Sequence, residues 1–144
     1  MIKLLRNVIA IVVGVAFGGA VNMALVMLGP SIVPPPAGVD ASDAASLAAS
    51  IHLFEPRHFL MPFLAHALGT FAGALSAYLI AASARAALAW VIGAVFLCGG
   101  IAASLMIPAP GWFIALDLLL AYLPMAGLAI RLGAQLSPVG VRPP

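Results

Sequence analysis

Charged residues are scarce in this sequence. Only 7% of the 144 residues are Asp, Glu, Lys or Arg, whereas 65% are apolar. A soluble domain carries about 25% charged residues, and a chain with so few cannot cover a water-facing surface. The formal net charge is only +2, and the basic residues form no patch that could follow a nucleic-acid backbone. The sequence therefore excludes nucleic acid as a partner and predicts the lipid bilayer instead.

Cysteines and catalytic motifs are also lacking. Cys98 is the single cysteine, so the chain has no internal disulfide and no CxxC or Cys/His metal spacing. We expect Cys98 to be a small buried residue within an apolar run. The HExxH, GxSxG and phosphate-loop motifs are absent. The sequence thus indicates no catalytic residue, metal ligand or cofactor, and it favours a protein that is not an enzyme.

Long apolar runs are what the sequence contains instead. A bilayer core about 30 Å thick requires about 20 apolar residues in a helix, since lipid leaves no partner for an unpaired backbone amide. We predict transmembrane helices over residues 8–28, 59–82, 86–107 and 112–130 of a single membrane domain, 1–144. The first run is longer than the apolar core of a signal peptide, so we expect it to be retained. The predicted fold is an all-α membrane protein, a four-transmembrane-helix bundle.

The basic residues indicate how this bundle is oriented. One side carries Lys3, Arg6, Arg85, Arg131 and Arg142. The opposite side carries a mixed set with more acidic than basic residues: Asp40, Asp43, Glu55 and Arg57. Lys and Arg accumulate in cytoplasmic segments. We therefore expect a multi-pass protein of a bacterial inner membrane with both termini cytoplasmic.

The predicted outer loop, residues 30–58, has a helical pattern of its own. Asp40 or Ser42 is placed to cap a short helix that ends before Pro56. Three apolar residues recur at helical spacing on one face: Leu47, Ile51 and Phe54. This pattern is typical of a short helix at the membrane interface. Such a helix either covers the mouth of the bundle as a lid or merely connects two spans.

A polar cluster follows at the start of the second span. It consists of Glu55, Arg57 and His58. One interpretation makes these residues the mouth of a site within the bundle. The other makes Glu55 and Arg57 a fixed point at the lipid headgroups, where charged side chains are readily accommodated.

Small residues recur along the predicted helices. The glycines expected to pack helices together are Gly14, Gly18, Gly69, Gly73, Gly99 and Gly100. Small side chains four residues apart allow two helix backbones in lipid to approach closely. The resemblance of residues 12–17 to 91–96 leaves open an arrangement as two tandem helical hairpins.

Three strongly polar residues lie inside the predicted spans. From the helical rise, Asn22, His66 and Asp117 are about 9, 12 and 8 Å below the outer surface. An aspartate facing lipid would cost about 3 kcal/mol, so we expect Asp117 to face His66, with Asn22 bridging them. Thr70 on the His66 stripe and Tyr122 below Asp117 extend this set. It is either an outward-facing pocket for a small ligand, ion or proton, or a hydrogen-bonded clasp between helices.

Two stretches resemble a known group of sequences. The runs FEPRHF and FLAHALGT at residues 54–59 and 63–70, and WFIALDLLLAY at 112–122, are similar to an uncharacterised family of small four-helix bacterial inner-membrane proteins. The resemblance extends from about residue 34 to 130 and implies four spans, without implying an activity. Two hypotheses follow: a transporter-like, homo-oligomeric protein with a polar pocket, and an accessory or scaffold subunit bound to another membrane protein.

Overall fold

The computed structural model of this chain describes residues 1–41 and 43–137, so Ser42 and Arg142 lie outside it. Helix makes up 82% of the structure, and the described residues contain no strand. The helices are α1 (Ile2–Ile32), α2 (Ala44–Ser50), α3 (Leu60–Ile80), α4 (Arg85–Met106), α5 (Gly111–Leu120) and α6 (Leu123–Leu136). Two 3₁₀ turns, Ile51–Leu53 and Pro56–Phe59, lie between α2 and α3.

Four of the helical stretches are long and apolar enough to cross a membrane: Ile2–Ile32, Pro56–Ile80, Arg85–Met106 and Gly111–Leu136. Large apolar side chains are exposed along them, among them Val12, Phe17, Trp90 and Leu119. Such surfaces are suited to hydrocarbon rather than to water. The prediction of an all-α, multi-pass membrane protein is confirmed at this level.

The α3 helix is the centre of the helix packing, because it contacts α1, α4 and α6. Its approach to α1 is closest at paired glycines. A Cβ built on Gly14 would lie 2.8 Å from the Gly73 carbonyl oxygen, and one built on Gly18 would lie 2.6 Å from that of Gly69. These two helices therefore touch through their backbones, as small-residue stripes permit.

The small residues of α4 do not all have the predicted role. Gly100 faces the inside, where a Cβ would overlap the Tyr122 ring and hydroxyl. Its neighbour Gly99 is exposed and has no atom near enough to contact a Cβ, so the predicted packing role of Gly99 is wrong for these helices. Cys98 is exposed as well, against the expectation of burial, because the interior face of α4 is set by Gly93 and Gly100.

The first and fourth spans are longer than predicted, Ile2–Ile32 instead of 8–28 and Gly111–Leu136 instead of 112–130, and two features of their course involve prolines. The α1 helix continues through Pro30 to Ile32, since a proline in the last turn removes only one hydrogen bond. The fourth span is not continuous, because α5 ends at Leu120 and α6 begins at Leu123. The break follows from Pro124, which has no N–H to donate to the carbonyl four residues before it and whose ring clashes with that carbonyl; a proline is instead favoured in the first turn of a new helix, where it lies in α6.

At the end of the helices that carries the N-terminus, α1 is tied to the turn between α3 and α4. The Arg6 Nε donates to the Ile80 carbonyl at 2.6 Å. The Asn7 Oδ1 accepts from the backbone N–H groups of Ala82 and Ser83 at 3.0 and 3.2 Å. These bonds pair groups that the end of α3 leaves open. Residues 33–41, 43–55 and the 107–110 turn lie at the other end, called the loop end below.

Candidate functional site

A buried carboxylate near the loop end is the centre of the site. Asp117 on α5 is only 5% exposed. The His66 Nδ1 lies 2.9 Å from both Asp117 oxygens, and the Tyr122 hydroxyl donates to Oδ2 at 2.8 Å. When this carboxylate is ionised it only accepts hydrogen bonds, and Nδ1 is then the donor. The structure thus joins α3, α5 and the α5–α6 break through one side chain.

Tyr122 reaches this carboxylate from the break in the fourth span. Its backbone, at φ −118° and ψ −81°, leaves the helical path between α5 and α6. The ring stacks on His66 with centroids 5.8 Å apart and planes 28° apart. Gly100 on α4 leaves the space that the hydroxyl occupies. Three elements therefore fix the tyrosine, which is 1% exposed.

The backbone of His66 is hydrogen-bonded within α3, whereas its side chain is partly exposed. The buried Thr70 hydroxyl donates to the His66 backbone carbonyl at 2.7 Å, which binds Thr70 to its own helix rather than to the imidazole. The His66 side chain is 25% exposed, compared with 6% for that of Asp117. With Nδ1 engaged, the second ring nitrogen, Nε2, has no hydrogen-bond partner among the described residues. Its lone pair is available to a donor group.

A cavity of about 220 Å³ opens in front of this polar pair. His66 and Asp117 line it, with His58 and Ser104 as further polar residues. Apolar side chains from every surrounding element make up most of the remaining lining, including Val26, Ile51, Phe59, Ile107, Phe113 and Leu118. An apolar enclosure with few, convergent polar groups is the usual form of a small-molecule site.

Residues of α2 and of the 3₁₀ turn after it contribute to the cavity wall. Leu47, Ile51 and Phe54, predicted on one helical face, all line it. The α2 helix is capped by Asp43, whose Oδ2 accepts from the Ser46 N–H at 2.7 Å. The predicted cap at Asp40 is therefore wrong by three residues, and Ser42 is outside the described residues. These contacts favour the lid interpretation over a plain connection.

The predicted mouth residues divide into two groups. Glu55 and Arg57 form an exposed ion pair with a 3.0 Å separation and are not part of the cavity lining. His58 is buried, lines the cavity, and accepts from the Glu55 backbone N–H through Nδ1 at 2.9 Å. Phe54 meets the His58 ring edge-on at 5.3 Å. His58 therefore links the lid to the start of α3.

Asn22 does not bridge the polar pair as predicted. Its Cβ lies against Gly69, and its Oδ1 is buried without a hydrogen-bond partner among the described residues. The reason is that Asn22 continues the Gly14–Gly18 stripe, which faces α3 and not the cavity. Asn22 is thus beside the site at the α1–α3 contact.

The α4 helix contributes a wall of small residues to the cavity. Ala103 and Ser104 line the cavity, while the Ser104 hydroxyl donates to the Ile101 carbonyl at 2.7 Å. Their small size, next to Gly100, is the sequence signal for this wall. Within residues 1–41 and 43–137, no three His, Cys, Asp or Glu side chains converge as metal ligands would.

Comparison with known proteins adds no relative to this description. No family model, no curated protein and no solved structure matches the chain. The resemblance to small inner-membrane proteins stays a prediction. The chemistry of the site must therefore be argued from its own residues.

Proposed function

We propose that this chain forms a four-helix membrane bundle that binds a small ligand in the cavity in front of His66 and Asp117. One observation carries the proposal: a buried, doubly hydrogen-bonded carboxylate lies at the base of a cavity that is otherwise almost wholly apolar. The ligand supplies the polar group that meets the pair.

The proposed membrane is a bacterial inner membrane with the loop end outward. The charge bias supports this orientation, because Lys3, Arg6 and Arg85 lie at the end opposite the loop. Cytoplasmic ends of membrane helices collect such residues. The α2 helix then lies at the outer interface. Thiol labelling of a Cys98→Ser background with single cysteines at Ala45 and at Ser83 tests this: only Ala45→Cys should react with an impermeant reagent in intact cells.

A ligand site explains more than a clasp between helices does. A clasp needs the hydrogen bonds of Asp117 but not an open space beside them. It also does not account for the quarter of the His66 side chain that is left accessible. A carboxylate within a membrane span costs about 2.5–3.5 kcal/mol on insertion scales. A residue that is so unfavourable for insertion is expected to have a function, such as binding a ligand.

The test is native mass spectrometry of the protein released gently from its own membrane. Ala103→Phe places a large ring in the cavity, whereas Ala102→Phe makes the same change on an exposed, neighbouring position. A small bound molecule should be retained by the wild type and by Ala102→Phe and lost from Ala103→Phe. Equal retention by the two variants would show that the molecule lies elsewhere.

Two further variants separate binding from folding. Asp117→Asn keeps the shape of the side chain but removes its charge, and His66→Ala removes the imidazole. Under the ligand proposal both lose the bound molecule while keeping wild-type helicity and a folded, monodisperse form. If both fail to insert or fold, the clasp interpretation is correct.

An accessory-subunit role is the second candidate, and two glycines with open space beside them, the half-buried Gly19 on α1 and the exposed Gly99 on α4, favour it. Small residues with such open space suit a close approach by another membrane helix. The occupant is a second copy of the chain or a different protein. The same mass spectrum distinguishes them, because a stoichiometric foreign subunit would support this role and a homo-oligomer with a bound small molecule would support the first.

A further inference from the structure

A second cavity adjoins the first beneath the lid. Its volume is about 130 Å³, and it extends toward the end of α1 at Gly29 and Pro30. The two cavities share five lining residues: Val26, Leu47, Phe54, His58 and Pro62. The two cavities are therefore adjacent, with the His66–Asp117 pair in the larger one and a mostly apolar lining in the other.

The charge along the two cavities is one-sided. Asp117 is the only formally charged side chain that lines either cavity within the described residues, and no Lys or Arg is among them. The polar groups beside it are His58, His66 and Ser104. A carboxylate or phosphate on a ligand would therefore meet a like charge with no basic residue to compensate it. A cationic head would compensate the Asp117 charge where the surroundings are poor in water.

We propose that the ligand is a lipophilic amine, an ammonium group on a single hydrocarbon chain. The ammonium lies at the Asp117 carboxylate and donates to His66 Nε2, which accepts when Nδ1 holds the proton for Asp117. The chain passes beneath Phe54 and Leu47 into the second cavity. This ligand class rests on the proposed function, because it uses the same site.

Head-group preference is the first test. The wild type is placed in nanodiscs of phosphatidylcholine, which has no primary amine, and is titrated near neutral pH with dodecylamine, dodecanol and dodecanoate. Since hydrogen bonds to charged groups are among the stronger ones, dodecylamine should bind about tenfold or more tighter than dodecanol, with dodecanoate weakest. Asp117→Asn should abolish the preference for the amine. Tighter binding of dodecanoate would overturn the proposal.

Chain length tests the second cavity. Ala41→Phe fills it without touching the larger one, and Ala45→Phe is the matched control, because Ala45 is exposed on α2. Ala41→Phe should weaken dodecylamine while leaving hexylamine unchanged, whereas Ala45→Phe should affect neither. If Ala41→Phe weakens the binding of both amines equally, or of neither, the second cavity does not hold the hydrocarbon chain.

The controls separate failure of this inference from failure of the proposed function. If all three dodecyl compounds bind equally and Ala103→Phe abolishes binding, the cavity is a ligand site but the amine preference is wrong. If none binds, or if binding survives Ala103→Phe as mere partition into the bilayer, both are wrong. Nanodiscs containing phosphatidylethanolamine distinguish the sources: no competition with dodecylamine supports a free single-chain amine, whereas competition would show that the amine of a two-chain lipid binds and would overturn the single chain.

Discussion

The contact between α1 and α3 allows a sharp test on two adjacent glycines. Gly18 and Gly19 occupy the same turn of α1, but only Gly18 faces α3. Gly18→Ala should therefore destabilise the protein, and Gly19→Ala should not. The same atom is added at both positions, so the two variants form a matched pair.

The magnitude follows from the atoms that the new methyl group would meet. Its carbon would lie 2.6 Å from the Gly69 carbonyl oxygen and 3.0 Å from the Gly73 Cα. Carbon and oxygen in close helix contacts are about 3.3 Å apart, so α1 has to retreat by about 0.7 Å. Overpacking of this kind costs about 1–3 kcal/mol. The gain in helix propensity, about 1 kcal/mol, is common to both variants and cancels in their difference.

The free energy of unfolding can be measured by titration with sodium dodecyl sulfate in mixed micelles, with helicity as the signal. We expect Gly18→Ala to be less stable than Gly19→Ala by about 1–3 kcal/mol. Equal stabilities would refute the close backbone contact. Because α1 also carries Val26 to the cavity wall, Gly18→Ala should also weaken ligand binding, whereas Gly19→Ala should leave it unchanged.

Three further predictions concern single side chains. Tyr122→Phe removes the donor to the Asp117 carboxylate and should cost about 1.5–3 kcal/mol in the same titration; a stability equal to the wild type would contradict that bond. Asn22→Leu removes a buried oxygen without a hydrogen-bond partner in the described part of the chain and should leave the free energy of unfolding unchanged or raise it by about 1 kcal/mol. A fall in the free energy of unfolding would show that this oxygen is hydrogen-bonded. Asp43→Ala removes the bond to the Ser46 N–H and should lower the opening free energy of α2, measured by amide hydrogen exchange, by about 0.5–2 kcal/mol, while α3 is unchanged. An exchange rate in α2 equal to that of the wild type would argue against the cap.

The number and type of the helices could be predicted from the sequence because lipid imposes strict conditions. A span must be long, apolar and internally hydrogen-bonded, and four runs of the chain meet these conditions. A short helix before Pro56 could be predicted from its spacing, but it ends earlier than expected: only Leu47 lies in α2, whereas Ile51 begins a 3₁₀ turn and Phe54 is extended. The N-cap residue of this helix could not be predicted, because Asp40, Ser42 and Asp43 are all of the residue types that cap helices well, and the structure selects Asp43.

The polar residues show where such reasoning stops. The helical rise gives the depth of a residue but not the direction in which it faces. His66 and Asp117 have similar estimated depths and face each other in the structure. Asn22 has a similar depth, yet it faces α3 through the spacing of Gly14 and Gly18. The four-residue spacing of Gly14, Gly18 and Asn22 is visible in the sequence, and it indicates the face on which Asn22 lies better than the estimated depth does.

The break in the fourth span matters most for the chemistry of the site. In a continuous helix, each residue advances by about 100°, so a residue five positions after Asp117 would point about 140° away from it. Tyr122 could not then donate to Asp117, whereas the observed bond is 2.8 Å long. The departure of Tyr122 from helical geometry, at the break that Pro124 imposes on the helix, turns the hydroxyl back to the carboxylate. An interrupted helix beside a buried charge is also the form in which membrane proteins build ligand sites, so the break supports binding over a simple clasp.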